Sequence, residues 1–167
     1  MVKVEQLLLK DDGQVPNHPL FPLLIYHGAF ESTGTHETID VFASNGWAGA
    51  WVNGIFAYHH YHARSHEVLA NLGDPVDVQF GGASGPVVTF EPGTAVVIPA
   101  GCGHCRRSAP TNLVIVGAYP EGQEHWDLKR ADNPADYAIA RREIARVPMP
   151  AKDPVTGGRG ALFDAWR

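Results

Sequence analysis

The sequence predicts an all-β fold, a sandwich or barrel of short strands with short flanking helices. Three observations carry that expectation. Turn formers are plentiful, with 18 Gly and 13 Pro, which favours many short strands over long helices. From Trp47 to Pro120 the chain breaks into short apolar runs separated by Gly, Pro and Asp, with no helical stretch between them. Within that region Val76, Val78 and Phe80 alternate with Asp77 and Gln79, the period-2 signature of a half-buried strand.

The elements follow in order. Residues 1–30 read as mostly extended, with Pro16, Pro19 and Pro22 punctuating a loop and Leu23-Leu24-Ile25-Tyr26 forming one strand. Ile39, Phe42 and Ala43 make an apolar stripe for a helix from Thr35 to Asn45, and Gly46 suits its stop. Turns at Gly73-Asp74-Pro75 and at Gly81 to Pro86 bracket a strand over Val76–Phe80. Further strands are expected at Val87–Phe90, Thr94–Ile98 and Leu113–Tyr119. Asn133, Pro134 and Asp136 spell a helix start, a cap followed by Pro and an acid in the first turn, and that helix should stop before Pro148. Residues 148–160 read as extended, and Leu162, Phe163 and Trp166 are apolar enough to dock the tail. No repeat or linker divides the chain. One domain over 1–167 is expected, with a barrel core at about 47–119 and the segments 1–46 and 120–167 packed on it.

Composition narrows the function classes. A chain of 167 residues, 44% apolar and 19% charged, is long enough to bury a real core. The net charge of −5 and the absence of a Lys/Arg run give no footprint for nucleic acid. The first residues are too charged and their apolar run too short for a signal peptide, and no stretch has the length to span a membrane. The cytoplasm is therefore the expected compartment, with Cys102 and Cys105 reduced.

Five of the nine histidines lie in or beside two short segments. In the first, His60 and His62 are two residues apart, so on a strand both would face one way, roughly 6.5–7 Å apart, together with Phe56 and Tyr58. Two imidazoles at that spacing can grip one cation. Glu67 has the opposite parity and can join them only if the chain bends or bulges at Ala63-Arg64-Ser65, whereas His66 has the matching parity. In the second, Val96-Val97-Ile98-Pro99-Ala100-Gly101 reads as a buried strand ending in a tight turn, and His104 follows as the chain re-enters a strand.

These segments resemble the two motifs of the cupin superfamily. Gly54, His60-x-His62, Glu67 and Gly73 match the first, with one residue fewer before the last Gly; Gly93, Pro99, Gly101 and His104 match the second, with Ser108 where the family has Asn. The whole chain looks most like small single-domain bacterial cupins. The resemblance implies a double-stranded β-helix, a jelly-roll barrel, with His60, His62, Glu67 and His104 binding one divalent metal inside it. Three imidazoles and a carboxylate suit Fe, Mn, Ni, Co, Cu or Zn better than Mg or Ca. Such an ion keeps positions open for a small-molecule ligand. Members of the superfamily include dioxygenases, isomerases, decarboxylases and plain binders, so two readings stand: a metal-dependent enzyme acting on a small oxygen-rich substrate, or a non-catalytic module. Tyr58 and Arg106 are the candidate catalytic groups. Arg106 shares parity with His104, so it either faces the cavity as an anion clamp or reaches the barrel mouth. A homodimer, formed through sheet edges and the apolar flanking segments, is the expected assembly.

The remaining residues have plainer readings. Cys102-Gly-His-Cys105 is also a disulfide-exchange sequence, but the strand-then-helix context that activates such a thiol is missing. His18, His27, His36 and His125 read as surface or hydrogen-bonded residues. His59 and Tyr61, alternating with the ligands, should point out of the barrel.

Overall fold

The computed structural model describes residues 1–167. Two strands, β1 (Lys3–Leu7) and β2 (Leu23–His27), precede helix α1 (Thr35–Ser44). Eight strands then run from β3 (Trp47–Asn53) and β4 (His60–Tyr61) through β5 (Glu67–Asn71), β6 (Val76–Phe80), β7 (Val87–Phe90), β8 (Ala95–Ile98) and β9 (His104–Arg106) to β10 (Ile115–Pro120). A two-residue strand, β11 (Lys129–Arg130), and helices α2 (Pro134–Ile144) and α3 (Gly160–Ala165) complete the chain.

The strands form two antiparallel sheets, ordered β1-β2-β8-β5-β10-β3 and β11-β4-β9-β6-β7. Successive strands from β3 to β6 alternate between the sheets, β7 turns back on β6 as a hairpin, and then β8, β9 and β10 retrace the path and pair with β5, β6 and β4, and β3. That order is the jelly roll of two Greek keys, the cupin architecture the motifs imply. Gly73, at the end of the first motif, packs against the β10 approach so closely that a Cβ there would stand 2.3 Å from the Asn112 carbonyl oxygen. Gly101, in the turn before β9, has φ +87°, a backbone state that side chains resist.

Alternation on each strand sorts the core. Leu69, Val78, Phe80, Val96, Ile98 and Ile115 fill the space between the sheets. The other face of the six-stranded sheet is covered as well, where Leu24, Val68, Val97 and Val116 pack with Phe42 of α1 and with Leu162 and Trp166 of the C-terminal tail. A third cluster, Val15, Tyr61, Ala63, Ala100, Ala140 and Ile144, lies beneath α2. Tyr61 thus points out of the barrel as expected, yet it is fully buried because α2 lies over it.

Two local expectations need correction. Residues 1–30 hold a second strand, β1, paired with β2 from Lys3↔His27 to Leu7↔Leu23. Asn133 precedes α2 but its side chain makes no cap: it donates to the Asp136 carboxylate at 2.8 Å instead. The tail docks through Leu162 and Trp166 as expected, and a helical turn, α3, presents them. The buried Asp153 carboxylate organises it by accepting from the backbone N–H of Val155, Thr156 and Leu162 and from the Tyr26 hydroxyl at 2.6 Å. Trp166 then donates its indole N–H to the Pro22 carbonyl.

Candidate metal centre

The site is built where β4, β5 and β9 meet. His60 pairs directly with His104 across the β4–β9 ladder, and His104 pairs with Phe80 on its other side. His62 lies just past β4. The chain then bends at Ala63 and Arg64, as the parity of Glu67 requires. The Asp127 carboxylate holds that bend by accepting the backbone N–H of Ala63 at 3.0 Å and of Arg64 at 2.9 Å. Gln123 holds the next two residues: its carbonyl accepts from the Ser65 hydroxyl and its side-chain oxygen from the His66 N–H. Glu67 consequently enters β5 on the same face as Leu69 and reaches the barrel interior.

Three side chains converge. Glu67 Oε2 lies 3.3 Å from His62 Nε2, and Glu67 Oε1 lies 3.3 Å from His104 Nε2. The ligating atoms of these three residues are all within 4.8 Å of one another, and all three are buried. His60 flanks the group, its ring centroid 4.0 Å from that of His104 and 6.1 Å from that of His62. His66, the parity-matched rival of Glu67, faces the other way. It accepts the Ala100 N–H and packs against Trp166 and Phe21.

Every imidazole of the set is oriented by a backbone carbonyl. His60 Nδ1 donates to Tyr58 at 2.9 Å, His104 Nδ1 donates to Cys102 at 3.2 Å, and His62 Nδ1 donates to Asp127. A carbonyl can only accept, so each Nδ1 carries a hydrogen and each Nε2 is the free ligating atom. Each of the two Nε2 atoms therefore faces one oxygen of the same carboxylate, a contact that needs either a proton or a metal ion between the lone pairs. The ionisation equilibria follow. Burial resists charge on His62, but the Glu67 carboxylate and the hydrogen bond to it prevail and raise its pKa. Burial likewise pushes Glu67 up, and His62 with the bonds from His104 and His62 wins, holding the carboxyl well below its usual range. His60 is different: burial, reinforced by His104, depresses it to about 2, so it stays neutral.

The cluster opens into a cavity of about 690 Å³. Tyr119 and Trp126 wall it on the His62 side, where Trp126 meets the His62 ring edge-on at 5.2 Å. The Tyr119 hydroxyl accepts the Trp51 indole N–H at 2.8 Å and lies beside Glu67; burial first, then that carboxylate, raises its pKa. Arg106 lines the cavity too. Its Nε donates to the Ile55 carbonyl at 3.1 Å and its Nη1 to the Ser108 carbonyl at 2.6 Å, and no carboxylate pairs with it. Tyr58 is not among the lining residues: its ring stacks on Phe56 and lies under the Arg130 guanidinium, 4.0 Å away. Cys102 and Cys105 are free thiols; they flank His104 at the start of β9, with no helix beginning there, and burial pushes the Cys102 thiol up.

Tyr119, Trp51, Trp126, Asp127 and Gln123 are absent from the motif reading. Tyr119 was within reach, since it lies inward like Ile115 at the start of its strand. Asp127 and Gln123 lie in 121–128, where no periodicity marks a role.

No family model matches the chain. The uncharacterized protein YjlB of Bacillus subtilis is 42% identical over 156 residues, which is 93% of this chain and 92% of that protein. Structural likenesses are more distant. Oxalate decarboxylase from Bacillus subtilis is 14% identical, with a TM-score of 0.40, over 76% of this chain and 33% of that one. The epimerase RmlC from Legionella pneumophila is 11% identical, with a TM-score of 0.38, over 70% and 71% of the two chains. Protein NMB1881 from Neisseria meningitidis is 16% identical, with a TM-score of 0.35, over 71% and 84%.

Proposed function

The chain belongs to the family of the Bacillus subtilis protein YjlB, and from that starting point we propose that it is a divalent-metal cupin that holds a small oxygen-rich molecule in its barrel. The observation that carries the reading is the pair of Nε2 atoms aimed at one buried carboxylate, each imidazole fixed by a carbonyl behind it. His62, Glu67 and His104 would hold the ion, with His60 beside them as the fourth candidate. When bound, such an ion supplies Lewis acidity toward a ligand oxygen. The chain's own residues orient and exclude water. Asp127 and Gln123 keep Glu67 turned inward, while Tyr119 and Trp126 close one side against solvent.

A cavity of about 690 Å³ beside the cluster favours a bound small molecule over an ion that merely closes the barrel. Arg106 suits an anionic ligand, because its spare donors face a cavity in which the one central carboxylate is committed to the cluster. Catalysis would run through the metal positions and Arg106. Tyr58 would need to leave its stack on Phe56 to take part.

The test is metal content. Protein purified without added metal and analysed for its elements should carry about one transition-metal ion per chain, and His62→Ala with His104→Ala should remove it while circular dichroism keeps its β signal. Undiminished metal in the double variant overturns the reading.

A further inference from the structure

The cavity has two polar ends with apolar walls between them. At one end are His62, Glu67 and His104. At the other is Arg106, two residues along β9 from His104 on the same face, so roughly 7 Å separates them at the backbone. The guanidinium is held at the Ile55 end by two carbonyls. These use two of its five N–H donors and leave three for a guest. Arg106 is half-buried and has neutral partners only, so its charge is free to take an anion that enters the cavity. Between the ends the lining is Trp51, Ile55, Leu69 and Leu113, and the rim carries Phe56 and Trp126, each more than two-fifths exposed. A polyol would leave its hydroxyls unmatched against those walls, and a very small acid would leave the volume unfilled.

We propose that Arg106 determines specificity by binding a second acidic group of the ligand, so that the ligand is an elongated two-headed acid: an oxygen-chelating head at the metal cluster, an apolar middle, and a carboxylate at Arg106. This rests on the metal reading above. It goes beyond that reading in naming the ligand's shape and charge, which the cluster alone does not dictate. The planar fork of Arg106 suits a carboxylate, which it can grip with two parallel bonds.

Two probes separate the ends. Mandelate has a hydroxy-acid head and a phenyl ring; 4-carboxymandelate adds only a distal carboxylate. Calorimetric titration of the Co²⁺-loaded protein should show 4-carboxymandelate binding at least about tenfold tighter, the increment expected of a charge-assisted hydrogen bond. In Arg106→Gln the two probes should bind alike, with Co²⁺ uptake intact. Arg106→Lys, which keeps the charge and loses the fork, should fall between, and serves in its place if the Gln variant does not fold. Equal affinities in the unaltered protein, no binding of either probe, or a preference that survives both substitutions overturns the proposal while leaving the metal reading standing. A chain that takes up no Co²⁺ sinks both together.

Discussion

At the scale of single residues, the convergence of His62, Glu67 and His104, with His60 beside them, was legible because these residues sit at a telling spacing. His60 and His62 share a strand face, and the parity of Glu67 demanded a bend that is present at Ala63 and Arg64. The groups behind the ligands were not legible, since a backbone carbonyl such as that of Asp127 leaves no trace in residue identity. The hydrogen on His62 has a measurable consequence. Its pKa is raised in the metal-free protein by the Glu67 carboxylate, so below that raised pKa it holds a proton that an ion must displace. Affinity should therefore rise with pH through the raised His62 pKa and fall below it. Titration of Co²⁺ in buffers of different ionisation enthalpy should report net proton release that shrinks as the pH is raised; a pH-independent stoichiometry of zero contradicts this assignment of charge.

Among elements, segments bracketed by turn residues were readable and those held only by tertiary packing were not. Val76–Phe80 and Val87–Phe90 are strands as expected, and α1 ends within a residue of its expected stop. α3 has six residues, too few for intrinsic propensity to announce it, and exists because Leu162 and Trp166 are buried against Phe42 and Trp47. The segment 121–128 has no regular structure at all, yet it carries the groups that set the bend. Asp127→Ala strips the acceptor from two backbone donors at the bend, a loss on the order of 2–4 kcal/mol. Metal affinity should drop roughly tenfold with it, as for other groups that orient a ligand from behind. Urea denaturation and Co²⁺ titration of the variant check both figures. A variant that loses stability while keeping full affinity would show that the bend does not depend on Asp127.

For the whole molecule, the jelly-roll order explains both what was foreseen and what was not. A pattern of short strands and turns implies a barrel, but which strands become neighbours depends on closure of the chain around the core. The apolar flanks illustrate this. Leu23, Leu24 and Ile25 are docked rather than free, as are Leu162 and Trp166, and all are consumed inside one chain. The homodimer expectation now falls on the outer edge of β3, which pairs only with β10, and on the exposed Val52 that it carries. Light scattering at micromolar concentration should give about twice the mass of one chain. A single-chain mass removes the dimer.

His60 and His104 are neighbours only because β9 returns to β4 after the whole β5–β8 excursion. A refolding chain must close both Greek keys before those rings meet, and contacts between distant segments form late. The site is thus a built-in clock for the last step of assembly. In a stopped-flow refolding experiment, Co²⁺ colour should lag the far-ultraviolet signal of the sheets, and ions added early should find no home until the barrel has shut.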